Sequence, residues 1–221
     1  MQADMACATY VPQEALDGLM TYIYKKRNLP RSTLDSFRGI RVTSSLGKVT
    51  CRILADPIFP ILDDFLLALG PEQFAGRKHH SADMLAVTLS MLIALHGSAP
   101  MYIILLDVKK AFDRAWRSAI WLKMLRKGGS PHAVAWLRKA YLRLRTAVKS
   151  GDLTSAYADA DIGVGQGDPN STSFFNLLIS DLPAHLRDRG ICTVWYGIPL
   201  TCLIFLDDIT TRVRLSNSKS L

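Results

Sequence analysis

The chain has 221 residues, 49% of them hydrophobic and 21% charged, with a formal net charge of +8. That balance excludes disorder over most of the length, and the length admits one sizeable domain or two small lobes sharing a core. The excess of Lys and Arg favours polyanionic partners such as nucleic acid, or an anionic surface.

Cys7, Cys51, Cys192 and Cys202 form no CxxC pair and stand at no zinc-ligand spacing from a histidine, so reduced thiols in an intracellular protein are expected. Residues 1–10 carry an acid and no apolar core, unlike a signal peptide. The most apolar stretch, residues 84–95, is too short to span a bilayer, so no membrane role is expected.

In chain order, residues 12–24 suit a helix with Ala15, Leu16, Leu19, Met20 and Ile23 on one face. A basic break follows and ends at Pro30. Residues 45–69 carry Ile58, Ile61, Leu62, Phe65, Leu66 and Leu69 at helical spacing, interrupted at Pro57 and Pro60. Residues 82–96 predict an apolar helix, with Ser81 as N-cap and Gly97 after it. The run 101–106, between Pro100 and Asp107, predicts a buried strand, and with 84–95 it is expected to build core. Two helices, 116–126 and 132–143, should flank Gly128-Gly129-Ser130-Pro131. Strands are expected at 146–149 and 156–164 around Gly151. A helix should start at Pro169 under an Asp168 cap. Strands at 194–196 and 201–206 would lead through a tight Asp207-Asp208 turn into 209–213. Such irregular alternation implies an α+β fold, a small antiparallel sheet with helices on one face.

Two apolar runs end abruptly in acid: 102–106 before Asp107, and 203–206 before Asp207 and Asp208. Three carboxylates within ~4–5 Å would repel by a few kcal/mol per pair at an effective dielectric near 20. A basic side chain, protons or two Mg²⁺ ions would cancel that charge, and hard oxygen ligands suit Mg²⁺. Two such metals serve in-line attack on phosphate. The pair Asp63-Asp64 sits among apolar residues at helical spacing and reads as a solvated helix face.

The stretch Gly163-Val164-Gly165-Gln166-Gly167-Asp168-Pro169 lets backbone approach a bulky ligand just before a helix N-terminus, where phosphate or a base would fit. Phe112, five residues beyond Asp107, is either a core ring or a ring folded back beside the acids, where it would crowd a ribose 2′-hydroxyl. Arg138, Lys139, Arg143 and Arg145 interleave with Trp136, Tyr141 and Leu144, as on a helix with a basic face over an apolar one. His79 and His80 are adjacent and point apart, which disfavours a shared metal.

The order and spacing of these blocks resemble reverse transcriptases, with wording closest to the non-long-terminal-repeat (LINE-type) retrotransposon kind. ILLDVKKAFD (104–113) resembles motif A, GVGQGDPNSTSFFN (163–176) motif B, and Phe205-Leu206-Asp207-Asp208 motif C. Phe37-Arg38-Gly39-Ile40 is similar to the upstream "YRGI/RPI" segment, and residues 73–78 to the "QFGFR" block.

The resemblance implies right-hand polymerase fingers and palm, with a small antiparallel palm sheet backed by helices. It implies an N-terminal extension over 1–36, fingers over 37–100, palm over 101–214 and a disordered tail over 215–221, with the thumb missing because the sequence ends soon after motif C. It implies RNA-directed DNA polymerase activity, or else a catalytically inactive nucleic-acid-binding remnant. Asp107, Asp207 and Asp208 would be the catalytic metal ligands for two Mg²⁺, with Mn²⁺ as substitute. Arg38, Lys48, Phe112, Gln166 and Gly167 would bind the nucleotide, and Gln73 and Arg77 the template. The implied partners are an RNA template, a DNA primer and a deoxynucleoside triphosphate. Leu206 departs from the usual small residue before the Asp pair, and Asn170 and Thr172 stand where Leu and Pro are common.

Overall fold

The computed structural model describes residues 12–25, 28–45, 48–49, 72–77, 79–95, 102–168, 170–195 and 198–213. The expectations for residues 50–69, for Asp63-Asp64, for Lys78 and Pro169 and for the 215–221 tail lie outside these residues.

Helix α1 (Gln13–Leu16) is a single turn, and strand β1 (Gly18–Tyr24) takes the rest of the expected 12–24 helix. Gly18 is a poor helix former, and Thr21, Tyr22, Ile23 and Tyr24 favour strand. Pairing decides the matter: β1 runs antiparallel to β2 (Phe37–Thr43) from Gly18↔Thr43 to Tyr24↔Phe37. On its other edge β1 pairs in parallel with β4 (Arg145–Ser150) at Gly18↔Thr146. Strands β5 (Leu153–Thr154) and β6 (Ala158–Asp159) both pair antiparallel with β4. The rest of the expected 156–164 strand is loop. The expected boundary between 36 and 37 therefore runs through one sheet, which also draws in a strand from beyond residue 101. Asp17 ties α1 to β4 by accepting from Arg145 Nε at 3.0 Å and Nη2 at 2.6 Å.

The main core lies between α3 (Arg117–Arg126), α4 (Pro131–Leu142) and α5 (Ser171–Leu178). Ile120, Trp121, Met124, Val134, Leu137, Tyr141, Phe174 and Leu177 fill it. Trp121, Tyr141 and Phe174 meet edge-on with centroids 5.3, 5.5 and 5.8 Å apart. Each such pair adds ~0.5–1.5 kcal/mol beyond its buried area. Buried Val134, Leu137, Ala140 and Tyr141 against exposed Arg138 and Lys139 give α4 the two faces expected of it.

A second sheet has the order β3 (Tyr102–Asp107), β10 (Asp208–Val213), β9 (Cys202–Phe205), all antiparallel. Cys202, Ile204 and Ile209 pack on Ile179, Leu182 and Leu186, the last two from α6 (Leu182–Asp188). This is the small antiparallel sheet backed by helices. Strands β7 (Thr193–Trp195) and β8 (Ile198–Leu200) form a separate hairpin. On the outer side of β9, Gln73 makes a parallel bridge to Ile204. Ile204 donates to Glu72 O and accepts from Phe74 N–H, both at 2.8 Å.

Two core expectations fail. Helix α2 (Ala82–Leu95) has no buried residue, although Ser81 Oγ caps it by accepting from Met84 N–H at 3.2 Å. Every residue of β3 is exposed, Leu105 at 74%. The run is an edge strand, and the helices beneath the sheet cover β9 and β10 instead. Continuous apolar sequence records a demand for cover, not its source.

The β9–β10 turn also differs from expectation. Phe205 pairs with Asp208, so Leu206 and Asp207 are the two loop residues and Asp208 already belongs to the strand. Two-residue hairpins need positive φ, which favours Gly or Asn, yet Leu206 sits at φ +56°. A left-handed conformation costs an L residue ~1–2 kcal/mol. Leu206→Gly should therefore raise unfolding stability by about 0.5–1 kcal/mol, net of the glycine's extra chain entropy. A destabilised Leu206→Gly chain in urea titration would show that the leucine's packing outweighs its strain.

The Arg145 hydrogen bond holds the Asp17 carboxyl below its ordinary pKa, against a smaller upward push from burial. Its folded pKa lies below its unfolded one, so its stabilisation is present above the ordinary value and lost as pH falls through the folded one. Asp17→Asn should lower stability at pH 7 and flatten its decline below about pH 4. Superimposable stability–pH curves for the two chains would refute this role.

Candidate active site

Asp107 ends β3 and Asp208 begins β10, and the two are Cα partners in the antiparallel ladder. Directly opposed residues in such a ladder have Cα atoms ~4.5–5.5 Å apart. Asp207 stands just before Asp208 in the β9–β10 turn, and its carbonyl accepts from Val108 N–H at 3.2 Å. The three acids thus share one edge of the sheet. Burial pushes the Asp207 carboxyl upward, and the charges of Asp208 and Asp107 push the same way. Arg38, exposed on β2, pulls it back, which places that guanidinium within electrostatic reach of the acids.

Three carboxylates are hard oxygen donors of the kind a divalent ion such as Mg²⁺ takes. Among the described residues, no three His, Cys, Asp or Glu side chains are gathered in ligating geometry. The fit to a metal therefore lies in the donor chemistry and the strand register, not in converged side chains.

Behind the acids, residues 108–115 loop back toward α3. The Phe112 ring is half-buried and stacks on Phe175 of α5 at 5.3 Å. It packs at the margin of the main core, as the core reading of that ring expected. Lys110 and Lys109 reach across to Asp35 at 3.0 and 3.8 Å. These are exposed pairs worth little in stability.

The glycine-rich turn is wedged between this loop and β2. Val164 and Gly163 donate to Phe112 O and Ala115 O at 2.8 and 3.1 Å. A Cβ on Gly163 would collide with the Asp113 carbonyl, and one on Gly167 would lie 2.6 Å from Arg41 O. Both glycines have positive φ, +78° and +110°. Arg41 N–H donates to Gln166 O at 2.9 Å, which leaves the Gln166 side chain exposed beside Gly167. Asp168 is not the helix cap expected of it: its Oδ1 accepts from Asn170 N–H at 2.9 Å in the turn, while helix α5 begins at Ser171 with Asn170 at the N-cap position and no side-chain cap bond. Burial pushes the Asp168 carboxyl upward, while Asn170 N–H, Arg41, Tyr141 and the Lys48 charge oppose the shift. Lys48 thus stands near this turn, with its own N–H on Ser44 O at 3.0 Å.

The expected template residues are placed differently. Gln73 is 2% exposed, and its Oε1 accepts from Ala75 N–H at 3.0 Å. It lies under the surface, where the parallel bridge to β9 turns this segment inward. Arg77 is half-buried and donates to Gln73 O at 3.1 Å, and burial pushes its pKa down. Asn176 Nδ2 fastens the same segment through Ala75 O at 2.8 Å. Arg143 and Arg145 are likewise engaged with Gln13 and Asp17.

Sequence reasoning missed Arg41, Gly18 and Glu72. Arg41 is a buried arginine that contacts Leu16 O, Arg145 O and Thr146 Oγ1. Glu72 is a buried acid that accepts from Arg187 at 3.3 Å. The available signal was a charge within an otherwise alternating strand, in Arg41's case.

Comparison with known proteins adds an independent line. The family model described as "Reverse transcriptase (RNA-dependent DNA polymerase)" matches residues 23–218. The chain is 29% identical over 178 residues to a probable RNA-directed DNA polymerase from transposon X-element of Drosophila melanogaster, covering 79% of this chain and 19% of that protein. It is 26% identical over 170 residues to the corresponding protein from transposon BS of the same organism, covering 74% and 18%. The chain therefore spans about a fifth of the length of these relatives. Among solved structures, telomerase from Candida tropicalis in complex with a TWJ fragment of telomeric RNA matches at TM-score 0.60 and 15% identity, covering 91% of this chain and 36% of that one. Telomerase from Candida albicans matches at TM-score 0.59 and 14% identity, covering 91% and 38%. At those identities the likeness is one of fold, a polymerase fold. With the family model spanning nearly the whole chain, the protein belongs to the reverse transcriptase (RNA-dependent DNA polymerase) family.

Proposed function

We propose that this chain carries the nucleotidyl-transfer site of an RNA-directed DNA polymerase, working on an RNA template, a DNA primer and deoxynucleoside triphosphates. The observation that carries the reading is the register of Asp107 against Asp208, with Asp207 beside them in the β9–β10 turn. In this reading Asp107, Asp207 and Asp208 hold two Mg²⁺ ions, which Mn²⁺ can replace. Bound there, the ions would supply Lewis-acid activation of a primer 3′-oxygen and charge neutralisation at the leaving pyrophosphate.

The chain's own groups do the rest. Arg38, within electrostatic reach of Asp207, offers a guanidinium to the triphosphate. Lys48 adds a second cation near the glycine-rich turn. Gln166 and Gly167, exposed at that turn, face the incoming nucleotide and its template base. Phe112, braced by Phe175, fills the space where a ribose 2′-hydroxyl would project. Arg77 contributes charge to the template side, and Gln73 shapes the segment from below. The net charge of +8 favours the nucleic acid electrostatically.

The bulk of Leu206 beside the acid pair favours a second reading, a remnant that binds template–primer without extending it. One assay separates them. The chain should extend a DNA primer on an RNA template with Mg²⁺, and Asp107→Asn should reduce extension to background. That variant's metal-free fold should melt no lower than the parent's, because one of three mutually repelling charges is gone. Binding without extension in the parent chain would establish the remnant, and full extension by Asp107→Asn would sink the metal assignment.

Phe112→Val should raise ribonucleotide use relative to deoxynucleotide use by about tenfold or more, the scale of a lost steric contact in a shaped pocket. Competition between the two nucleotide types in the same assay measures it. An unchanged ratio would leave Phe112 with a packing role alone.

A further inference from the structure

The side chain of Arg41 takes an unusual route. It starts on β2 and contacts β4, two strands away, although β1 lies between them. It ends on Leu16 O at 2.6 Å, Arg145 O at 3.3 Å and Thr146 Oγ1 at 3.1 Å. The crossing is open only because β1 presents Gly18 beneath it: a Cβ there would overlap the Arg41 Nε, with Cγ and Cζ each at 2.8 Å. Arg41 is 5% exposed. A buried guanidinium is costly to desolvate, and such groups persist when their hydrogen bonds and a nearby anion are supplied by a fixed surround. Here the Arg41 charge acts on two carboxyls, Asp17 and Asp168.

The same residue meets the glycine-rich turn along its length. Its N–H bonds to Gln166 O at 2.9 Å. Its carbonyl is the atom that a Cβ on Gly167 would strike, and its Cδ and Nη1 lie 3.4 and 3.5 Å from where a Cβ on Gly165 would stand. The turn is thus laid over Arg41, and Arg41 is itself pinned to α1 and β4.

We propose that Arg41 is the positioning residue of the 163–168 turn, holding Gln166 and Gly167 toward the incoming nucleotide, and that Gly18 is the opening in β1 that lets its side chain reach the anchoring carbonyls. The nucleotide in this statement rests on the polymerase reading above; the anchoring of the turn does not. Arg41 reaches no reacting atom and acts through the turn.

The test uses the full chain with Arg41→Met, Gly18→Ala and the pair together. Amide exchange is followed at Asp168 N–H, bonded to Gly165 O, and at Arg41 N–H, bonded to Gln166 O. Exchange at both should quicken tenfold or more in each single variant, with no further gain in the double variant, because both changes remove one interaction. Core amides of α3 should keep their protection. Where Arg41→Met does not fold, Arg41→Lys replaces it, since an ammonium cannot reproduce the three-acceptor contact. In primer extension the variants should raise KM for the nucleotide tenfold or more while kcat changes less. Unchanged exchange at the turn, additive effects, or uniform loss of protection across the core would each overturn the assignment. A parent chain that extends no primer, yet whose turn loosens on Arg41→Met, sinks the polymerase reading and leaves the anchoring in place.

Discussion

The antiparallel register of β3 against β10 is the constraint on which the site depends. A shift by one residue would carry Asp107 past Asp208 and invert the faces of both strands. The two-residue turn fixes the other half of the register, because Phe205↔Asp208 leaves Asp207 no place except beside the acids. Ile204 and Ile209, buried on α6 and its approach, hold that hairpin down. The site asks the fold to bring like charges together, and an apolar face beneath plus a closed ladder within resist the repulsion.

Glycine then sets how closely the remaining segments can approach. Gly163 lies against the 112–113 carbonyls and Gly167 against that of Arg41, distances that no side chain tolerates. Three stretches far apart in sequence are consequently joined backbone to backbone at one turn. Behind them the Trp121, Tyr141 and Phe174 cluster supplies a support, and the stacked Phe112 and Phe175 rings tie the 108–115 loop to α5 at its margin.

The upstream sheet brings a further cation to the same place. Strand β2 carries Arg38 toward Asp207 on one face and Arg41 into the interior on the other, as alternation requires. Its position is set by β1, and the position of β1 by β4, through a parallel pairing between residues more than a hundred positions apart. The arrangement makes the N-terminal strand the centre of the sheet that carries Arg38 and Arg41.

Much of this was legible from residues alone. Acid at the end of an apolar run marked Asp107, Asp207 and Asp208, and the glycine spacing marked the 163–168 turn. The helices α3 and α4 followed from periodicity, since their apolar spacing and flanking Gly and Pro allow little else. What sequence left open was decided by partners. Strand β1 read as a helix because its pairing with β2 and β4 is non-local, and pairing energy outweighed its local pattern. The exposed β3 and α2 read as core because an apolar run does not say which neighbour covers it. Gln73 read as a ligand contact and turned inward on a single bridge to β9. Sequence alone determined which groups could do chemistry, because side-chain type is written there; tertiary structure decided which of them meet, because registry and close approach depend on segments that only the folded chain brings together.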